Sequence, residues 1–398
     1  MSQATKENYF LSQPHQPFFI LGIVNAVVVM LIFALSYKGI FTLQMDTQIF
    51  HVYSLVYLVF TNVFTGFLFT TFPRFNQTET IIKNYYINIF YANALGSLLF
   101  LIAAFTSNLA VIGAMVVLFI TQIFIVKILY QIYMEGQTKV YNDGKSIDQV
   151  DSYWILNANY FGLFANLLFI VGEFIPEVQS SAINIAFYLY LIFLAFSVGQ
   201  RMIPFFSNPF AQKDEEFIKT VFRLFILKSI FSASGFTIGE IIIDLALGIY
   251  MAREILRWEL HPFSSPAILW VLHLSLAWLP VAFLLSALSL TTELLLGTSF
   301  YFLNIHLLAI GFLTTLLIGF GTRVTLGHSR QPPHGDSIAT KIFIFIQFVV
   351  LARVLFSVNV AFGWGLNFLF DISFTLWLVL FLWWGGRYAK VLLFGTKL

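Results

Sequence analysis

The sequence predicts an all-α, polytopic membrane bundle of about twelve spanning helices with both termini on the cytoplasmic side. Three observations point there. Hydrophobic residues make up 59% of the chain and charged residues only 10%, with a mean hydropathy of +0.86, outside the range of soluble globular domains. Apolar runs of about 20 residues recur along the chain between short polar loops, the length a helix needs to cross a bilayer. Lysine and arginine collect on alternate loops, as they do in proteins whose basic loops stay inside.

Taken in order, the runs cover about 18–41, 48–72, 86–106, 108–134, 155–175, 180–204, 218–235, 237–256, 266–288, 298–322, 340–360 and 367–388. The third and fourth are parted only by Thr106-Ser-Asn108. The seventh is short and carries Arg223 and Lys228, so with the eighth it could form one long broken element. With the N-terminus inside, the inner loops and termini hold Lys6, Arg74, Lys83, Lys139, Lys145, Lys213, Lys219, Arg253, Arg257, Arg323, Arg330, Lys341, Arg387, Lys390 and Lys397, and the outer side only Lys38. Losing one span would scramble this sidedness downstream, so the even count and the orientation support each other. No soluble domain fits between the runs, and the chain reads as a single transmembrane domain over residues 1–398.

Several classes drop out. The chain has no cysteine, which excludes disulfides, thiolate metal sites and covalently attached c-type haem. Any metal must rest on histidine, methionine, carboxylate or tyrosine. No nucleic-acid motif, Gly-rich phosphate loop or internal sequence repeat is evident. The polar N-terminus precedes an apolar run longer than a signal h-region, so the first span is expected to stay in the bilayer as an anchor. The longest polar stretch, Glu135 to Tyr153, is an inner loop with a turn signal at Asn142-Asp-Gly144. Residues 205–216 form a second inner loop whose acid cluster reads as a solvated face.

Chemistry is carried by histidine and by arginine at membrane depth, where ionisable groups are costly and commonly functional. His306 lies about two turns into the tenth run and His328 closes it, about 33 Å away at helical rise. His51 opens the second run from the same outer side as His306, at a depth of about 5 Å against about 12 Å. Matched depth on two spans suits opposite axial ligation of one haem iron, and a hydrogen-bonded structural role for each stands beside that reading. Along the tenth run Gly311, Thr315 and Gly319 form a small-residue ribbon opposite His306, so the ribbon is expected to dock a neighbouring helix and the histidine to face an apolar chamber. Asn62, on the face of His51, is expected to bond a neighbouring helix. His273, on the ninth run, lies too far from the outer side to share that iron; it could ligate a second centre, bond a propionate-like group or bond a carbonyl on a facing helix. Arg201 and Arg353 need an anionic partner or must snorkel, and either could neutralise a cofactor carboxylate. Arg323, His328 and Arg330 together read as an anion- or proton-admitting site at the inner surface, or as a contact with lipid phosphate. His15, His261 and His334 are expected to be solvated in loops.

Several segments together resemble the NnrS family of bacterial membrane proteins over essentially the whole chain. They are Pro17-Phe-Phe19, His51 with Gly66-Phe-Leu68, Gly199-Gln-Arg-Met-Ile-Pro-Phe-Phe206, Leu269-Trp-Val-Leu-His-Leu274 with Ala277-Trp-Leu-Pro280, and His306 followed by Thr322-Arg-Val-Thr-Leu-Gly-His-Ser-Arg330. The resemblance implies a twelve-span protein of the bacterial inner membrane associated with haem and copper and with protection against nitric oxide and nitrosative stress; it does not by itself establish an enzyme. Where the family shows Trp-His-x-His-Glu, this chain has Phe50-His51-Val52-Tyr53-Ser54, so a copper site needing both histidines is altered, and Tyr53 stands in reach as an iron ligand or hydrogen-bond donor. The architecture is also similar to the main subunit of haem-copper oxidases, with a bis-histidine haem between the second and tenth spans. The copper histidines that those oxidases place on the sixth and seventh spans have no counterpart here. The expectation is a non-covalent haem held by His51 and His306, with nitric oxide or a related small molecule and an electron donor as partners. A transporter of a small anion or metal complex, its path lined by Arg201, Arg353 and the acids Glu173, Glu240, Asp244 and Glu293, is the reading from another class.

Overall fold

A computed structural model describes residues 8–140, 148–207, 214–260 and 264–398; the side chain of Glu215 is not described. The turn at Asn142 to Gly144, His261 and residues 208–213 of the acidic loop at 205–216 lie outside these residues; of its acids, Asp214 accepts from Glu216 N–H and Glu216 pairs with Lys219. Twelve long helices account for the described chain, and no strand occurs among the described residues. They are α1 His15–Tyr37, α2 Thr47–Phe75, α3 Lys83–Ala103, α4 Asn108–Gln137, α5 Val150–Gly172, α6 Pro176–Ser207, α7 Glu215–Ser234, α8 Thr237–Arg257, α9 Ala267–Leu296, α10 Leu303–His328, α11 Ser337–Phe362 and α12 Phe368–Phe394. Ten are long and apolar enough to cross a membrane. The other two, α7 and α8, have 20 and 21 residues, enough length, but each carries five charged side chains.

Local chemistry explains the boundaries. Ser107 accepts a hydrogen bond from Ala110 N–H and so starts α4, which is why four residues, 104–107, suffice to part α3 from α4. Asp46 caps α2 through Gln48 and Ile49 N–H, and Asp336 caps α11 through Ala339 N–H. Gly235 ends α7 at φ +69°, a left-handed conformation that glycine adopts without steric cost; α7 and α8 are therefore separate helices rather than one broken element. The tenth helix runs to His328, six residues past its expected end, so the Thr322–His328 motif is helical.

Three helices are not uniformly α. Ser54–Phe60 in α2, Ile185–Ile192 in α6 and Leu307–Thr314 in α10 are π-helical. The wider turn disturbs the i→i−4 ladder, and side chains take up the displaced carbonyls. Thr61 donates to Val56 O, Thr314 to Ala309 O and Thr315 to Ile310 O, each five residues back. Leu58 O accepts from both Asn25 and Asn62. Asn62 thus bonds its own helix rather than a neighbour; its Oδ1 is buried without a partner among the described residues. These three helices are also the most enclosed, with 83%, 89% and 72% of their apolar windows buried against 33–56% for the other seven.

The chain divides into two compact units. One comprises residues 1–156, 323–333 and 381–398; there α1 lies against α2, the two backbones drawn together at Gly22, which faces Val63, and at Gly66, which faces Phe18 and His15. The other comprises residues 157–322 and 334–380. Within it α9 docks on the small ribbon of α10, with Trp278 against Gly311 and Leu272 against Gly319, as the ribbon predicts, and α11 flanks the π segment of α10.

A Cβ at Gly66 would meet Phe18 Cβ at 2.8 Å and His15 Cα at 3.2 Å, atoms that cannot swing away. Gly66→Ala is therefore expected to lower stability by about 1–3 kcal/mol. Gly386→Ala, where the added methyl meets nothing within 4 Å, should be neutral or gain up to about 1 kcal/mol of helix propensity. Thermal unfolding of the two purified variants in detergent makes the comparison.

Candidate functional site

The start of α10 is built unusually. Tyr301 and Phe302 both have positive φ, +37° and +57°, a strained conformation for side chains of this size. The turn is held from α11. Arg353 donates from Nη2 to Tyr301 O at 3.1 Å and from Nη1 to Ser357 Oγ at 2.6 Å, while the Ser357 hydroxyl reaches the same carbonyl at 3.3 Å. The guanidinium also lies over the Phe356 ring, 5.1 Å from its centroid. The sequence left Arg353 an anionic partner or snorkelling; a hydroxyl, a carbonyl and aromatic faces meet it here.

Once the turn is fixed, Phe302 O is fixed, and it receives both His306 N–H and His306 Nδ1–H, the latter at 2.8 Å. A donor at Nδ1 fixes, for the neutral ring, the tautomer that carries its lone pair on Nε2, and holds the imidazole in one orientation. His306 is half-buried and lines a recess with Leu303, Leu307, Val350, Arg353 and Val354. The recess is closed to a water-sized sphere, far short of the roughly 300–1,000 Å³ of ordinary ligand pockets. The apolar chamber expected beside His306 is thus a small recess.

His51 belongs to the other unit. It is half-buried at the end of the α-helical part of α2, its ring 4.0 Å from that of Phe33 on α1. Tyr53 is fully buried, its ring against Tyr57 at 4.7 Å and Phe100 at 4.9 Å, on a different side of α2 from His51. Arg201 is half-buried two turns before the end of α6. His273 is buried and engages two hydroxyls, Ser207 through Nε2 and Ser265 through Nδ1 at 3.5 Å, rather than a carbonyl.

At the far end of α10 the residues read as one surface site are distributed. Arg330 is exposed, Arg323 is half-buried, and His328 turns toward His15. His15 is not a solvated loop residue: it is 2% exposed, as the first residue of α1 behind Pro14, packed on Gly66. The imidazoles of His15 and His328 lie 4.9 Å apart, tilted by 46°. His328 Nδ1–H donates to Val324 O at 3.0 Å, and its Nε2 is buried with no partner among the described residues. Thr70 gives its hydroxyl proton to Gly66 O, so its oxygen is left to accept from His15 Nδ1 at 3.5 Å. Two neutral imidazoles with lone pairs on Nε2 can share a proton or a ligand. The signal for His15 was the preceding proline, which marks a helix start rather than a loop. His334 is exposed, as expected.

Compared with known families, the chain matches NnrS protein over residues 9–394, nearly its whole length. The chain belongs to the NnrS family. No curated protein matches it. Among the described residues of this NnrS protein, no three histidine, aspartate or glutamate side chains are grouped as metal ligands.

Arg353→Lys keeps the charge but loses the two-pronged hold on Tyr301 O and Ser357. A loss of about 1–3 kcal/mol is expected, with Ser357→Ala costing less, about 0.5–1.5 kcal/mol. Thermal unfolding in detergent reads both.

Proposed function

We propose that this NnrS-family protein is a multi-pass protein of a bacterial inner membrane that holds a non-covalent haem on His306, with His51 as the second axial ligand that the sequence supplies, and that it serves nitric oxide metabolism or tolerance to nitrosative stress. The observation that carries the reading is the clamped turn at Tyr301–Phe302. A strained backbone persists only where its surroundings over-determine it, and here the strain delivers one carbonyl to one imidazole Nδ1–H. The residues fit a haem in kind: a neutral imidazole with its tautomer set, apolar neighbours, a cationic guanidinium for a carboxylate, and no cysteine that would call for covalent attachment.

In this reading His306 supplies the Nε2 lone pair, and the bond from Nδ1–H to Phe302 O makes the ring a better donor and stops it turning. Arg353 does double duty, bracing the turn and setting a positive charge at the edge of the recess. When bound, the haem iron supplies diatomic-gas binding and one-electron chemistry. With His306 and His51 both holding the group, a gas would have to compete with one of these imidazoles, which favours electron transfer or slow sensing over rapid turnover. Copper, which the family resemblance also suggests, would need ligands beyond the second-span pair, because Tyr53 stands where that motif has its second histidine.

The test is a visible spectrum and metal analysis of protein purified from haem-replete cells. A Soret band with iron bound, lost in His306→Ala and in His51→Ala while helical content is retained, is the expected result. A colourless, iron-free protein overturns the proposal and favours transport.

A further inference from the structure

Outside the histidine sites, one group of side chains stands out by charge and burial together. Lys228 on α7 is 1% exposed and sits between two carboxylates of α8, with Nζ 2.8 Å from Glu240 Oε2 and 2.8 Å from Asp244 Oδ2. Asp244 is fully buried and accepts a second hydrogen bond at the same oxygen, from the Ser286 hydroxyl of α9. Tyr188 of α6 lies beside the ammonium, its ring centroid 5.5 Å from Nζ. The other carboxylate oxygen, Asp244 Oδ1, is buried with no partner. All of these residues belong to one compact unit, and the charged and titratable groups acting on Asp244 and Lys228 are those already named.

The arithmetic of the site is uneven. Two carboxylates face one ammonium, which would leave one uncompensated negative charge beside the fully buried Asp244. Isolated charges are not sustained in such surroundings; the group neutralises instead. Donors from Lys228 and Ser286 occupy Asp244 Oδ2, and Lys228 occupies Glu240 Oε2, so the vacant acceptor position is Asp244 Oδ1.

We propose that this cluster is a binding site for a single proton, carried on the Asp244–Glu240 carboxylate pair, with Lys228 as its fixed counter-charge. The step is purely acid–base: an O–H bond forms at a carboxylate oxygen with a proton taken from water, and no electrons move. The rule that follows is that the cluster carries as many protons as it has carboxyls in excess of ammonium groups. Tyr188 and Ser286 are positioning residues that hold Lys228 and Asp244 in register.

Infrared difference spectra of the full-length protein in detergent at neutral pH, in water and in heavy water, count protonated carboxyls directly. The wild type is expected to show one carboxylic C=O band from this site that shifts on deuteration. Asp244→Asn and Glu240→Gln should each abolish it, since one carboxylate then balances Lys228. Lys228→Met should raise the count to two, and Lys228→Met with Asp244→Asn should restore one, so failure of any single variant to fold leaves the rule testable in the others. Identical spectra for wild type and all variants would overturn the proposal. So would a wild-type band erased by replacing choline with sodium in the buffer, which would assign the site to a metal cation. None of these outcomes depends on haem, so the haem reading can fail without touching this one.

Discussion

A polar group inside a bilayer has no water to fall back on, and this one constraint organises the structure. It explains why the described chain is helix throughout, since a helix satisfies its own backbone. It also explains where the exceptions lie. Each π segment displaces carbonyls from the regular ladder, and in α2 and α10 hydroxyls of Thr61, Thr314 and Thr315 and amides of Asn25 and Asn62 collect them. The carbonyl of Tyr301, thrown out of line by two consecutive positive-φ residues, is collected by Arg353 and Ser357. Where a charge rather than a carbonyl is left inside, as at Lys228, the response is a closed set of counter-charges and hydroxyls.

Seen this way, Arg353 and Lys228 solve opposite problems. Arg353 brings a permanent charge to neutral acceptors, and its long planar head spans two of them while resting on the Phe356 face. Its role is geometric, because the turn it braces decides where Phe302 O points and therefore how His306 stands. Lys228 meets full charges, and what matters there is their count. A guanidinium would suit the first site better than an ammonium, whereas the second needs donors to two carboxylates from one compact head, which is what lysine offers.

Much of this was legible beforehand. Hydropathy runs located all twelve helices, and the Gly311–Thr315–Gly319 ribbon correctly marked the side of α10 that meets a neighbour, because close approach in lipid demands small residues. Ser107 was enough to break one long apolar stretch in two. What stayed hidden depends on three-dimensional pairing. Lys228, Glu240 and Asp244 were each visible as charges in or near spans, but their partnership requires the antiparallel turn at Gly235 that brings residue 228 beside residues 240 and 244. His15 looked like a loop residue because it precedes the first apolar run; its burial comes from Gly66, fifty-one positions on. The left-handed turn at Tyr301–Phe302 had no signal at all, since neither residue type favours it, and it exists only because α11 holds it.

The three π segments fall in α2, α6 and α10, every fourth helix, and these are the three most enclosed helices. The two facts belong together. An irregular backbone survives in a membrane only where protein surrounds it, so burial is the condition for a wide turn. A rhythm of this kind leaves no trace as a sequence repeat, because it constrains enclosure and not residue identity: the three segments share apolar character and little else. What precedes each segment is more telling. Asn184 stands directly before the segment of α6 and spends its amide on Ser180 O one turn back, a local bond that closes the position. His306 stands directly before the segment of α10 and His51 three residues before that of α2. An imidazole thus precedes two of the three segments, at different spacings, while the third is preceded by an amide that has closed on its own helix.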